Sequence, residues 1–161
     1  ANHPSAFLTV VGFGPEERER RAQAQDLGIN HKVHFLGALP QTALPALYQR
    51  AAVFVAPFVQ ASSGDQEGLG LVLVEALGCG CPVVLSDLPA SRDVVSDISA
   101  AIPIPPEQLI DRLGRVIVSV LADRSRYNLE AINAAAQLKK QFDWEEVTAG
   151  YAQLLLEISY E

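Results

Sequence analysis

Short apolar runs that end near glycine or proline alternate with helical stretches through the first hundred residues. The apolar runs cover residues 7–11, 33–36, 53–56 and 82–85, and the intervening sequence predicts helices over 15–27, 44–50 and 69–77. Apolar runs this short are typical of strands that are buried on both faces. Strands that alternate with helices favour a Rossmann-like α/β fold, in which a parallel sheet carries helices on both faces.

The sequence pattern changes after residue 86. Residues 86–93 are rich in turn formers, and residues 100–104 predict a short edge strand because they contain a proline. Apolar residues then recur at helical spacing from Glu107 onward, and residues 127–142 and 145–158 also predict helices. The 161 residues therefore predict one domain, with a sheet followed by three C-terminal helices.

Composition excludes several classes of protein. The chain has 12 Lys and Arg against 19 Asp and Glu, with a net charge of −7, so we expect no nucleic-acid partner. No apolar stretch approaches the ~20 residues that span a bilayer. Cys79 and Cys81 are separated by one residue, which suits neither a disulfide nor a four-ligand zinc site. We expect reduced thiols, a cytoplasmic location and no bound metal.

The most informative segment contains two carboxylates, Glu67 and Glu75, with Gly68 and Gly70 directly after the first. It lies where a loop leads into a predicted helix. Backbone N–H groups at such a junction form an anion site suited to a diphosphate. If most of the interval is helical, the two carboxylates lie up to ~12 Å apart along the helix axis, a gap that a sugar nucleotide spans.

The segment resembles the donor domain of family 4 glycosyltransferases, and the resemblance covers nearly the whole chain. Its supporting segments are VVGFGPE at 10–16, KVHFLGALP at 32–40, LYQRAAVFVAPF at 47–58, EGLGLVLVEALGCGCPVVLSDLPASRDVV at 67–95 and FDWEEV at 142–147. The resemblance implies the C-terminal half of a GT-B fold. It further implies a retaining, metal-independent enzyme of the hexosyltransferase type, with a nucleotide-diphosphate sugar as donor substrate and no separate cofactor.

The resemblance also implies roles for individual residues. Glu67 is the implied catalytic residue and contacts the donor-sugar hydroxyls, and Glu75 binds the ribose hydroxyls. The backbone from Gly68 through Leu69 and Gly70 to Leu71 holds sugar and phosphate. Gly12 and Gly14 border the nucleotide pocket, while Phe35 and Gly37 lie by the base.

The chain departs from the family pattern in ways that predict a fragment. Relatives begin one strand and one helix earlier, and that unit supplies an Arg and a Lys that neutralise the diphosphate. The family's N-terminal acceptor domain is also absent. In the complete enzyme we expect that domain to provide peripheral attachment to a membrane. We therefore expect the isolated chain to be inactive and a second copy to cover its incomplete sheet. Leu69 and Asp93 stand where the family usually has Phe and Glu, so the identity of the donor sugar stays open. The identities of the nucleotide base and of the acceptor stay open as well.

Two other functions stay open at this point. One is a folded but non-catalytic fragment without nucleotide affinity. The other is a sugar-nucleotide epimerase or a glycoside-cleaving enzyme, and cleavage requires carboxylates about 5–9.5 Å apart. A nicotinamide site at Gly12 and Gly14 is disfavoured because the third fingerprint position is Glu17.

The remaining polar and aromatic residues predict structural roles. We expect His31 and His34 at the surface and Cys79 and Cys81 packed at a helix end. Arg92 is expected to be a solvated loop residue, although it could reach a phosphate. Trp144 is expected to pack with Phe142 against the core.

Overall fold

The computed structural model describes residues 5–59, 70–95 and 97–158. The strands of this part of the chain are β1 (Leu8–Val10), β2 (Val33–Phe35), β3 (Phe54–Ala56), β4 (Val83–Ser86) and β5 (Ala101–Ile104). Its α-helices are α1 (Glu17–Asp26), α2 (Leu44–Arg50), α3 (Leu71–Gly78), α4 (Pro89–Val95), α5 (Leu109–Ala122), α6 (Arg124–Gln141) and α7 (Trp144–Ile158). The chain divides into two compact units, Ala1–Leu44 and Pro45–Glu161.

The first unit contains a two-stranded parallel sheet. β1 pairs with β2, with Leu8 opposite Val33 and Val10 opposite Phe35. The strand is present as predicted, but its expected burial on both faces is wrong, because Leu8 and Thr9 are exposed. Helix α1 connects the strands and ends shortly before Gly28, whose φ of 68° terminates it. The side chain of Phe7 stacks on His34 with ring centroids 5.6 Å apart, and both residues are exposed. The predicted surface position of His34 is confirmed.

The second unit contains a three-stranded parallel sheet in the order β3–β4–β5. Val83 pairs with Phe54 on one side and with Ala101 on the other. Pro103 lies in β5, which is the edge strand among the described strands. Its missing N–H is tolerated there because none of the other described strands pairs with the outer side of β5. The predicted edge strand over residues 100–104 is therefore confirmed.

Strand β4 is covered on both faces. Successive side chains of a strand point to opposite faces, and the residues of β4 separate accordingly. Val83 and Leu85 pack in one hydrophobic cluster with Leu73 of α3 and Leu138 of α6. Val84 packs in a second cluster, whose other buried members are Ile104, Leu109 and Val120. This two-sided burial explains the continuous apolar run at 82–85, and it confirms the prediction of an α/β fold with helices on both sheet faces.

Helix α4 corrects the prediction of turns over residues 86–93. Pro89 is compatible with a first helical turn because its missing N–H has no intrahelical partner there. The N–H of Leu88 donates to Oγ of Ser91 at 3.1 Å, and the Ser91 hydroxyl lies within donating distance of two carbonyls, those of Leu88 at 2.8 Å and Ser86 at 3.1 Å. The bond from the Leu88 N–H to Ser91 satisfies one backbone donor at the helix start, as the third-position side chain of a capping box does.

The C-terminal helices confirm the predicted number, but the expected packing of Trp144 is wrong. Phe142 packs against the first hydrophobic cluster, whereas Trp144 is 80% exposed. Trp144 is the first residue of α7, and no residue of that helix is buried. Across the described ranges, no helix combines the length and the apolar character that crossing a membrane requires.

Candidate functional site

Gly12 and Gly37 lie beside each other at the carboxyl ends of β1 and β2. The N–H of Gly12 donates to the carbonyl of Gly37 at 2.8 Å. Gly12 has a φ of 107° and Gly37 a φ of 67°, and a Cβ atom built on either residue meets nothing within 4 Å. The structure therefore brings together two of the residues predicted to border the nucleotide, and it leaves open space beside both.

Gly14 and Phe35 lie in the same unit but make different contacts. The carbonyl of Gly14 accepts from the N–H of Glu17 at 3.2 Å, just where α1 begins. Phe35 ends β2, and the Arg21 guanidinium lies 4.4 Å from its ring centroid. Arg21 also pairs with the Glu17 carboxylate at 2.8 Å. A cation over an aromatic ring is attracted to it, so the Phe35 ring is partly fixed by α1.

In the second unit, Gly70 directs the chain into α3. Its φ of 64° lies in the left-handed region, its carbonyl accepts from the N–H of Leu73 at 2.8 Å, and α3 begins at the next residue. Leu71 is 59% exposed at this helix start. First-turn N–H groups of an α-helix carry a partial positive charge. The predicted site residues Glu67, Gly68 and Leu69 lie outside the described residues.

Glu75 lies on α3 and accepts a hydrogen bond from a residue of α2. The hydroxyl of Tyr48 donates to Oε2 of Glu75 at 3.2 Å, and both side chains are half-buried. Because α3 begins only at Leu71, the helical rise from that residue to Glu75 is about 6 Å. Burial raises the pKa of Tyr48 to about 12, and the charge of Glu75 and the hydrogen bond act in the same direction.

The two cysteines lie beyond the end of α3 and are both free thiols. Cys81 is 1% exposed and belongs to the first hydrophobic cluster. Burial raises the pKa of its thiol to about 11, so Cys81 stays protonated at neutral pH. Burial also raises the pKa of Cys79, with a further contribution from the charge of Glu75. The predicted packing role of this pair at a helix end is confirmed.

An ion pair lies where β4 ends. Arg92 donates to both carboxylate oxygens of Asp87, at 2.6 and 3.0 Å. Its hydrogen bonds lower the pKa of Asp87. Arg92 is exposed as expected, but it belongs to α4 rather than to a loop. In this geometry its guanidinium is engaged by Asp87 instead of being directed only to solvent.

The sequence alone did not identify Tyr48 as a site residue. It lies within the segment LYQRAAVFVAPF, but it precedes Glu75 by 27 residues and belongs to another helix. No short-range spacing links the two residues, because the fold of the second unit brings them together. The arrangement at α3 can bind an anion at the helix start and accept hydrogen bonds from hydroxyls at Glu75. Within the described ranges, no group of three or more His, Cys, Asp or Glu side chains is placed to hold a metal ion.

Curated relatives are similar over nearly the whole chain. It is 31% identical over 153 residues to the GDP-mannose-dependent alpha-(1-6)-phosphatidylinositol monomannoside mannosyltransferase of Mycobacterium tuberculosis, and it spans 39% of that protein. It is 30% identical over 154 residues to glycogen synthase of the same organism, and it spans 36% of its length.

Solved structures have the same fold. The crystal structure of Anabaena HepE in complex with UDP-glucose matches 96% of this chain with a TM-score of 0.79 and 25% identity, and the match covers 42% of that protein. Sucrose-phosphate synthase from Thermosynechococcus elongatus matches 99% of this chain with a TM-score of 0.76 at 24% identity, and 40% of that protein is covered. The model of the family described as glycosyl transferases group 1 matches residues 1–148. This chain therefore belongs to the group 1 glycosyl transferases.

Proposed function

We propose that this chain binds the nucleotide-diphosphate sugar donor of a retaining, metal-independent glycosyltransferase. The observation that carries the proposal is the arrangement on α3, where a left-handed glycine starts the helix and a half-buried carboxylate follows one turn later. The family model covers residues from both compact units, which supports treating residues 1–161 as one donor-binding domain. That HepE crystallised with UDP-glucose supports the class of ligand.

In this proposal the helix start holds the diphosphate and Glu75 accepts hydrogen bonds from the ribose hydroxyls. Gly12, Gly14, Phe35 and Gly37 border the nucleotide, and Glu67 contacts the sugar hydroxyls. The acceptor hydroxyl attacks the anomeric carbon from the face that the diphosphate leaves, and its proton passes to the departing diphosphate. The product therefore keeps the anomeric configuration. The N–H groups at the helix start stabilise the negative charge that develops on the leaving diphosphate.

The acceptor site belongs, in our proposal, to a domain outside these 161 residues. The chain spans 36–39% of the curated relatives described above, which supports that division of labour. We further propose that the isolated chain transfers no sugar and that a second copy covers its exposed apolar surface. Two free thiols support a cytoplasmic location.

The decisive experiment replaces Glu75 by Gln in the complete gene product that contains this chain. Loss of a charged acceptor weakens binding by about 1.5–3 kcal/mol, or roughly ten- to hundredfold. Calorimetric titration with UDP and with GDP measures the dissociation constants. Glu146→Gln is the matched control, because it removes the same charge from an exposed position on α7. Equal affinities of wild type and Glu75→Gln, with equal thermal stability, would remove Glu75 from the site.

The reaction itself is tested by the product. The complete gene product is incubated with nucleotide sugars and acceptors, and the anomeric configuration of the product is read by NMR. Retention supports the proposed mechanism, whereas inversion contradicts it. Turnover by the purified 161-residue chain, with contamination excluded, would contradict the assignment of the acceptor site to another domain.

A further inference from the structure

Tyr48 connects α2 to the carboxylate on α3. Its ring packs edge-on against Phe54, with centroids 5.4 Å apart and the planes at 86°, and it lies against the first hydrophobic cluster. Phe54 begins β3, so one end of the tyrosine is fixed by the sheet. Its hydroxyl at the other end donates to Oε2 of Glu75 at 3.2 Å. The side chain is therefore held at both ends.

The phenol keeps its proton over the physiological range. Burial raises the pKa of Tyr48 to about 12, and the neighbouring Glu75, Cys79 and Cys81 act in the same direction. Tyr48 therefore donates to Glu75 at neutral pH and does not exchange a proton with it. A carboxylate has two oxygens and about four lone-pair positions, so it can accept from more than one donor at a time.

We propose that Tyr48 is a positioning residue that orients the carboxylate of Glu75 towards the ribose hydroxyls of a bound nucleotide, an inference that rests on the proposed function. A free glutamate side chain loses rotamer freedom when it binds a ligand. The hydrogen bond to a fixed tyrosine restricts that freedom before the nucleotide arrives. Binding of the ribose then requires less ordering of the Glu75 side chain. Tyr48 therefore favours nucleotides that carry both the 2′ and the 3′ hydroxyl.

The test compares ribonucleotides with their 2′-deoxy analogues. Dissociation constants for UDP, GDP, 2′-deoxy-UDP and 2′-deoxy-GDP are measured by calorimetry for wild type, Tyr48→Phe, Glu75→Gln and the double variant of the complete gene product. Tyr48→Phe keeps the ring packing and removes only the hydroxyl. We expect it to weaken ribonucleotide binding about two- to tenfold, which is the range for one hydrogen bond. Binding of the 2′-deoxy analogues should change less, so the ratio of the dissociation constants of a 2′-deoxy analogue and its ribonucleotide should become smaller.

The double variant tests whether Tyr48 acts through Glu75. In the Glu75→Gln variant, Tyr48→Phe should change nucleotide affinity little further, because the carboxylate that Tyr48 orients has already been replaced. Tyr151→Phe removes a hydroxyl from a tyrosine that is 64% exposed on α7, and it should leave all four affinities unchanged. Ultraviolet titration of tyrosine ionisation gives a readout without ligand, in which Glu75→Gln should lower the pKa of Tyr48.

The outcomes separate this inference from the proposed function. If Glu75→Gln weakens binding but Tyr48→Phe leaves the ribose preference unchanged, the positioning role is overturned and the donor site stands. Equal weakening of ribonucleotides and 2′-deoxy analogues by Tyr48→Phe also overturns it, because a merely structural role has that signature. Unchanged binding by Glu75→Gln, or a wild type that binds none of UDP, GDP and ADP, overturns the proposed function and this inference with it.

Discussion

Replacement of Gly70 by Ala should destabilise the second unit through the residue that starts α3. Gly70 has a φ of 64°, and a Cβ atom there would lie 3.0 Å from Cδ1 and 3.4 Å from Cγ of Leu73. The left-handed conformation costs an L-residue about 1–2 kcal/mol. Leu73 is fully buried against β4, so it can move only by leaving its rotamer, at about 0.5–1.5 kcal/mol.

A change in the unfolded chain opposes the backbone strain at residue 70 and the displacement of Leu73. Alanine lowers the entropy of the unfolded chain relative to glycine, which offsets about 0.4–1 kcal/mol. The expected net loss in the free energy of unfolding is therefore about 2 kcal/mol. At a urea dependence of about 2 kcal/mol per molar, the unfolding midpoint should fall by about 1 M.

The assay is urea unfolding followed by far-ultraviolet circular dichroism, with Gly114→Ala as the matched control. Gly114 lies inside α5, where an added Cβ meets nothing within 4 Å and φ is ordinary. Alanine there should stabilise the chain by up to about 1 kcal/mol, since glycine is a poor residue for a helix interior. If Gly70→Ala and Gly114→Ala shift the midpoint in the same direction, the reasoning from the backbone conformation of Gly70 is refuted.

Two further predictions concern the ion pair after β4 and the surface of the first unit. Arg92→Gln should raise the pKa of Asp87 towards its ordinary value, which NMR titration measures. Because the pKa of Asp87 is lowered in the folded chain, the ionised carboxylate contributes to stability at neutral pH. That contribution disappears as the pH falls through the lowered pKa. An Arg92→Gln variant with an unchanged Asp87 titration would contradict this. The first unit exposes Phe7, Leu8 and Phe13 by 64%, 53% and 84%, so the chain should self-associate in sedimentation velocity and Leu8→Lys should reduce the association. A wild type that stays monomeric at high concentration would argue against the second copy.

Strand β4 was predictable because its burial on both faces is recorded locally in the sequence, whereas the same expectation for the apolar run at 7–11 was wrong, since Leu8 is 53% exposed. β4 has all four residues buried, so it appears as a continuous apolar run. Helix α4 was not predictable from composition, because Pro89 and Ser91 are also typical of turns. In the structure Pro89 begins the helix, and Ser91 makes hydrogen bonds with the backbone of Leu88 and Ser86 at its start.

The candidate site was predictable only in part. Gly70 and Glu75 follow a local pattern of a glycine before a helix, and that pattern indicated an anion site. The contact between Tyr48 and Glu75 joins two helices, so no local pattern records it. The expected burial of Trp144 was wrong because residue type gives only a tendency, and the start of α7 leaves that side chain in solvent.

The exposed position of Trp144 has a consequence for spectroscopy. It is the only tryptophan among the 161 residues, so their tryptophan emission comes from one indole. That indole is in contact with water in the native state, and soluble quenchers should reach it without any unfolding. Melting of the sheet would change its emission little, because the ring does not pass from a dry to a wet environment. Tryptophan fluorescence will therefore report on events at the junction of α6 and α7, such as a partner that covers the ring.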